Sequence, residues 1–209
     1  RLKVALISYH YQNPTISDAG SDQTDASMCG LTFTTLMGNN PSIGTGSWTG
    51  SAGFSDPTSF NSDFTGLSGS SNTLVWTISN GVCPSSSDDV VIDFLINPTV
   101  ADAGKDQSLC SVTTTTLAGN TAIVGIGTWI IISGSVGIIS TPSSETTVFS
   151  GIADSTYLLR WSIGNSCGIT KDSVEISFNS LPIADAGNAQ TICKGVSITI
   201  GTTEKPGSN

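Results

Sequence analysis

One phrase is written three times in this chain. It reads Pro14-Thr15-Ile16-Ser17-Asp18-Ala19-Gly20-Ser21-Asp22-Gln23, then Pro98-Thr99-Val100-Ala101-Asp102-Ala103-Gly104-Lys105-Asp106-Gln107. It returns as Pro182-Ile183-Ala184-Asp185-Ala186-Gly187-Asn188-Ala189-Gln190. Copies spaced by about 84 residues are the mark of a tandem array. The phrase therefore acts as a seam. It divides the chain into the last strand of a preceding repeat (1–13), two full repeats (14–97 and 98–181) and the truncated start of a third (182–209). On this reading the chain is a segment of a longer array.

Between seams the apolar pattern has a period of two. Leu74, Trp76 and Ile78 alternate with Val75 and Thr77, and Tyr157, Leu159, Trp161 and Ile163 alternate with Leu158, Arg160 and Ser162. Such alternation turns one face inward and leaves the other, with Arg160, wet. The next strand puts Val90, Ile92, Phe94 and Ile96 inside in one copy and Val174, Ile176 and Phe178 in the other. Pro98 and Pro182 cannot donate to a ladder and close those strands. Val4 to Tyr11 precede Pro14 in the same way and read as an orphan strand.

A Gly-containing turn leads into Trp48 and again into Trp129, and Phe64 matches Phe149. Leu31 to Leu36, Val112 to Leu117 and Val196 to Ile200 supply one more strand, whose inner face the copies leave ambiguous. No stretch has a helical period. About seven short strands per copy, with turns every 8–12 residues, describe an all-β fold of antiparallel sandwiches. Trp48, Trp76, Trp129 and Trp161 are the expected core fillers, each able to bury ~150–250 Å².

The five cysteines recur with the copies. Cys29 with Cys83 and Cys110 with Cys167 occupy equivalent places, and Cys193 repeats the first member alone. Disulfides Cys29–Cys83 and Cys110–Cys167 are the expectation, with Cys193 unpaired by truncation. No CxxC occurs and His10 is the one histidine, so neither a zinc site nor a Cys/His nucleophile is indicated.

Charge excludes several partners. The net charge is −9 and only 11% of residues are charged. Without a basic patch, nucleic acid and anionic membrane surfaces are poor partners. No apolar run reaches the length of a membrane span.

The seam phrase, the Gly-x-Trp strand, Trp-Ser/Thr-Ile and the final Asp-x-Val strand together resemble polycystic-kidney-disease-type (PKD-like) domains. More narrowly, they resemble the Cys-containing repeats of very large secreted adhesins of Bacteroidota, including gliding-motility adhesins exported by the type IX pathway. The resemblance implies tandem Ig-like sandwiches in a rod, an extracellular cell-surface location, and the role of a stalk or filament in attachment. The partners it implies are neighbouring repeats, and surface glycans or other cell-surface proteins. The phrase departs from the pattern at Asn188 and Ala189.

Candidate sites are few. Asp18 and Asp22, or Asp102 and Asp106, offer oxygens suited to Ca²⁺ at a junction, against the alternative that they cap a turn. Asp88, Asp89 and Asp93 form an acidic edge, but Ser173 and Ser177 replace the last two in the second copy. Tyr9, Tyr11 and Phe60 are the loose aromatics. Asp154-Ser155-Thr156 and Asp172-Ser173-Val174 look like Bacteroidota O-glycosylation triplets at Ser155 and Ser173. No catalytic residue and no cofactor other than Ca²⁺ is indicated. Alternatives to the adhesin reading are a spacer or glycan-binding module of a secreted hydrolase, and a subunit that polymerises by donating the strand from Val4 to Tyr11 to a neighbour.

Overall fold

The computed structural model describes residues 12–182, 191 and 193–195. The strand expected from Val4 to Tyr11, with Tyr9, His10 and Tyr11, lies outside the described residues. So do Val196 to Ile200 and the departures at Asn188 and Ala189. The chain forms two compact units. The first takes the described residues up to Val100 together with Ala122–Ile126 and Ile163–Thr170. The second takes Ala101–Thr121, Gly127–Ser162 and the described residues from Lys171 on.

In the first unit, β1 (Phe33–Thr35) pairs with β3 (Asp63–Thr65), and β4 (Ser71–Ser79) lies between β2 (Thr45–Thr49) and β5 (Ser86–Asp93). Both sheets are antiparallel. The period-two faces read from sequence lie where expected: Leu74, Trp76, Ile78, Val90, Ile92 and Phe94 are buried. Ile96 is a correction. It is 42% exposed, because β5 ends at Asp93 and the chain then pairs through Leu95 with Cys29. The ambiguous strand resolves with Leu36 inside and Phe33 outside.

The Gly-x-Trp pattern has a steric cause. Trp48 stands opposite Trp76 in the ladder, two residues from Gly46. A Cβ on Gly46 would lie 2.1 Å from the Trp76 indole, and one on Gly127 2.2 Å from that of Trp161. The indole of one strand lies across the bare backbone of its neighbour. Ring centroids are 4.9 Å apart for Trp48–Trp76 and 5.2 Å for Trp129–Trp161. All four indoles are at most 2% exposed. Each ring N–H donates to a backbone carbonyl: Ser59, Asn39, Glu145 and Asn120 in chain order of the tryptophans. The polar handle of each indole is thus satisfied inside the core, as burial requires.

The second copy is built from seven strands. β6 (Gln107–Cys110), β12 (Gly168–Asn179), β11 (Ser155–Asn165) and β8 (Ile126–Ser133) form one sheet in that order. β7 (Thr114–Ala118), β10 (Thr146–Ser150) and β9 (Ile138–Ile139) form the other. Trp129, Phe149, Tyr157, Leu159, Trp161, Ile163, Val174, Ile176 and Phe178 are buried between them. Leu117 is buried and Val112 is 44% exposed, as with their counterparts Leu36 and Leu31.

One pairing departs from a purely antiparallel sandwich. β6 runs parallel to β12, with Gln107 opposite Ile176 and Cys110 opposite Asn179. The first copy does the same through the single bridges Gln23–Ile92 and Cys29–Leu95. A parallel pair needs a long crossover, and here the crossover is nearly the whole repeat. Local alternation carries no trace of it.

Candidate functional site

The seam phrase folds around its own polar side chains. The Asp18 carboxylate accepts from Gly20 N at 2.9 Å, and Asp102 from Gly104 N at 2.8 Å. This turn requires glycine: Gly20 and Gly104 sit at φ 85° and 80°, and a Cβ would come 2.9 Å from Met37 O or Ala118 O. Asn39 and Asn120 accept from the Asp18 and Asp102 N–H groups, and their own N–H groups donate back to the carbonyls of those residues.

The remaining carboxylates fasten the phrase to the last strand of the same copy. Asp22 accepts from Val91 N at 2.9 Å and Asp106 from Glu175 N at 2.8 Å. In the other direction, Asp88 accepts from Ala19 N and Asp172 from Ala103 N, both at 2.7 Å. Gln23 and Gln107 each bridge to two residues of the neighbouring strand. The four Ca²⁺ candidates, Asp18, Asp22, Asp102 and Asp106, are thus employed as turn caps and strand clamps. Asp88, expected on an acidic edge, and Asp172, expected in a glycosylation triplet, are instead clamps on the seam. Of the three acidic-edge residues, Asp88 alone has an acidic counterpart, Asp172, since Asp89 and Asp93 correspond to Ser173 and Ser177.

The cysteines require a correction. Cys29 is bonded to Cys167, with Cα atoms 5.6 Å apart, and Cys83 and Cys110 are free thiols. The expected Cys29–Cys83 and Cys110–Cys167 bonds do not form, for a topological reason. Cys29 lies beside Leu95, past the end of β5, whereas Cys83 lies in the turn before β5 begins. At ~3.3 Å per residue the strand separates them by roughly 30 Å, against a Cα span under about 7 Å for a disulfide. Cys110 opposite Asn179 and Cys167 before Gly168 are likewise held apart by the full length of β12. Cys193 is an exposed free thiol.

The bonded hairpin tip, Ile163–Thr170, belongs to the first unit. It is seated there by more than sulfur. Asn165 Nδ2 donates to Ile96 O at 2.8 Å, Cys167 N donates to Asn165 Oδ1 at 2.9 Å, and Thr170 Oγ1 donates to Thr99 O at 2.6 Å.

The other candidates are dispersed. Asp93 has a buried carboxylate oxygen, Oδ1, without a hydrogen-bond partner. Phe60 is half-buried and packs against the core of the first unit. Ser155 opens β11 half-buried, and Ser173 is exposed on β12. Hydrogen bonds hold three aspartate carboxyls below the ordinary 3.8: local ones from Ser27 to Asp25 and from Thr58 to Asp56, and long-range ones from Ser180 to Asp154. Among the described residues, no three His, Cys, Asp or Glu gather to hold a metal, and no helix is long and apolar enough to cross a membrane.

No family model matches the chain. No curated protein matches it either. Solved structures do. The insect immune protein hemolin aligns over 83% of this chain and 48% of its own, at 14% identity and TM-score 0.51. The N-terminal four Ig domains of Dscam1 isoform 9.44 align over 82% of this chain and 47% of their own, at 10% identity and TM-score 0.51. The PKD domain of the KIAA 1837 protein aligns over 42% of this chain and 92% of its own, at 21% identity and TM-score 0.37. The fold is immunoglobulin-like. The chain spans about half the length of the multi-domain Ig chains it matches.

Proposed function

We propose that this chain is a non-catalytic structural segment of a secreted cell-surface adhesin, built of tandem Ig-like, PKD-like repeats at 14–97 and 98–181. The observation that carries the reading is the Cys29–Cys167 bond. It joins one sequence copy to the next rather than closing either copy on itself. Such a bond suits an oxidising exterior and a load-bearing role. The Ig-like fold adds support, since hemolin is described as having a domain arrangement with implications for homophilic adhesion. The partners on this reading are neighbouring repeats and other cell-surface proteins or glycans. Gliding-motility adhesins are the kind of parent that the copied phrase resembles.

The mechanism is mechanical. Tension applied between the chain ends passes through the disulfide and bypasses the residues it encloses. With the bonded cysteines 138 positions apart in sequence, the shielded length is about 450–500 Å of extended chain. Pulling the oxidised chain between its ends in a force spectrometer should release only the length outside the loop. Reduction should restore the missing extension. Equal contour lengths before and after reduction would overturn the load-bearing reading.

A further inference from the structure

We propose that the outer face of the first copy's sheet docks on the outer face of the second copy's sheet in another molecule of this chain, held by opposite charge. The inference gives the adhesin reading above a partner, a second copy of the chain, and rests on that reading for why such a contact recurs.

The two faces are the same surface of one fold, charged differently. On the first, the ladder places Val75 opposite Asp89, Thr73 opposite Val91 and Ser71 opposite Asp93. Asp89 is exposed and Asp93 half-buried. β2, β4 and β5 contain no Lys or Arg. On the second, the outward residues of β11 and β12 include Leu158, Arg160 and Ser162, and Lys171, Ser173, Glu175 and Ser177. Arg160 stands where the first copy has Val75. Ser173 and Ser177 stand where it has Asp89 and Asp93. The Thr156 and Ser177 hydroxyls bond at 2.9 Å and keep the row that Ser71 and Asp93 form in the first copy. With two cations against Glu175, the second face is net positive where the first is doubly negative.

Two atoms mark what the single chain leaves unmatched. Among the described residues, Asp93 Oδ1 and Arg160 Nε are the buried side-chain polar atoms without a hydrogen-bond partner, and one lies on each face. A charge partly withdrawn from water without a partner is costly, and an opposite charge brought against the face offsets that cost. Like faces do not supply it. Two first faces bring four aspartates together, and two second faces bring Arg160 and Lys171 against their own copies. Unlike faces match, on a chain whose net charge of −9 otherwise keeps its copies apart.

The apolar surface divides in the same way. The second face presents Ile130 and Ile132 of β8, both exposed, where the first copy has Thr49 and Ser51. Val75 and Val91, half-buried on the first face, are the apolar surface available to them. β5 is eight residues long, and three strands of that length present roughly 400 Å². That is about half of the ~800 Å² per partner in a standard stable interface. One pair of faces therefore binds weakly, and repeats meeting side by side in an array add their contacts.

The test uses the whole chain with its free thiols alkylated and the Cys29–Cys167 bond intact, followed by sedimentation equilibrium. Association should rise with concentration at low salt and weaken in about 1 M salt, where the Debye length is ~3 Å. Asp89→Arg with Asp93→Ser reverses the first face, and Arg160→Val with Lys171→Asp reverses the second. At the half-buried positions 93 and 160 each variant carries the residue that the other copy places there, which favours folding. Each variant alone should associate about tenfold more weakly, since like charges then face each other. Mixing the two should restore association, because the reversed first face of one meets the reversed second face of the other. An unmodified chain that stays monomeric, a variant that associates as the unmodified chain does, or a mixture no tighter than its parts would overturn the inference. Any of these leaves the load-bearing reading standing, since that reading is decided by the contour length before and after reduction.

Discussion

The two sequence copies solve one packing problem with different residues. Both cross a pair of indoles over a glycine and stack a phenylalanine, Phe64 of β3 or Phe149 of β10, on Phe94 just past β5 or Phe178 of β12. They differ in what completes the ring cluster. The first copy uses Phe54, brought in from a loop to stack on Trp48 and meet Phe64. The second uses Tyr157, which stands on β11 and meets Phe149 and Phe178 edge-on. Tyr157 also brings a hydroxyl, which accepts from Ile152 N and donates to Val136 O. The indole pair is thus the fixed element of the repeat, and the remaining space is filled by whatever ring can reach it.

If that is right, the indole pair should count equally in both copies. Trp76→Ala and Trp161→Ala should each cost about 3–5 kcal/mol, measured by denaturant unfolding. A difference of more than about 1 kcal/mol between them would break the equivalence, since both indoles are buried and donate to the equivalent carbonyl, Asn39 or Asn120. The differing ring should show the reverse. Tyr157→Phe leaves the Ile152 N–H and Val136 carbonyl without that partner and should destabilise by about 1–3 kcal/mol. No change on removing the hydroxyl would mean that Tyr157 serves only as a ring, like Phe54.

The smallest effect separates the copies by pH. Hydrogen bonds from Ser27 hold Asp25 below its ordinary 3.8 in the first copy, and those from Ser180 do so for Asp154 in the second. A depressed folded-state value stabilises above 3.8 and is lost as pH falls through the lower value. Asp154→Asn should therefore lower the melting temperature slightly at neutral pH and shrink its further fall in acid. Thermal melts on either side of pH 3.8 check this. An unchanged acid limb would mean that Ser180 contributes nothing.

Much of this fold was legible because a sandwich strand advertises its inner face every second residue. Leu74, Trp76 and Ile78 are assigned by alternation alone, and Leu159, Trp161 and Ile163 repeat that register in the second copy. The limits were equally physical. Alternation says which way a side chain faces and nothing about which strand end lies near which. Equivalence of Cys29 with Cys110 and of Cys83 with Cys167 was visible, but pairing depends on whether two residues share an end of the sandwich. The parallel partner of β6 is invisible for the same reason. In the seam, Gly20 and Gly104 were readable as turn residues, whereas the clamp by Asp88 and Asp172 depends on contacts 69 residues apart in sequence.

The non-consecutive bond has a consequence for how the chain is made. Cys29 must wait for a residue 138 positions later, about 7–28 s at ordinary synthesis rates. Cys83 and Cys110 emerge in the interval, and an oxidant acting on the nascent chain would meet the wrong pairs first. Once the first copy has folded, β5 holds Cys29 and Cys83 at opposite ends, too far apart to react. Folding that runs ahead of oxidation thus proofreads the pairing. Oxidation that runs ahead of folding leaves mispaired chains, which only thiol–disulfide exchange can rescue.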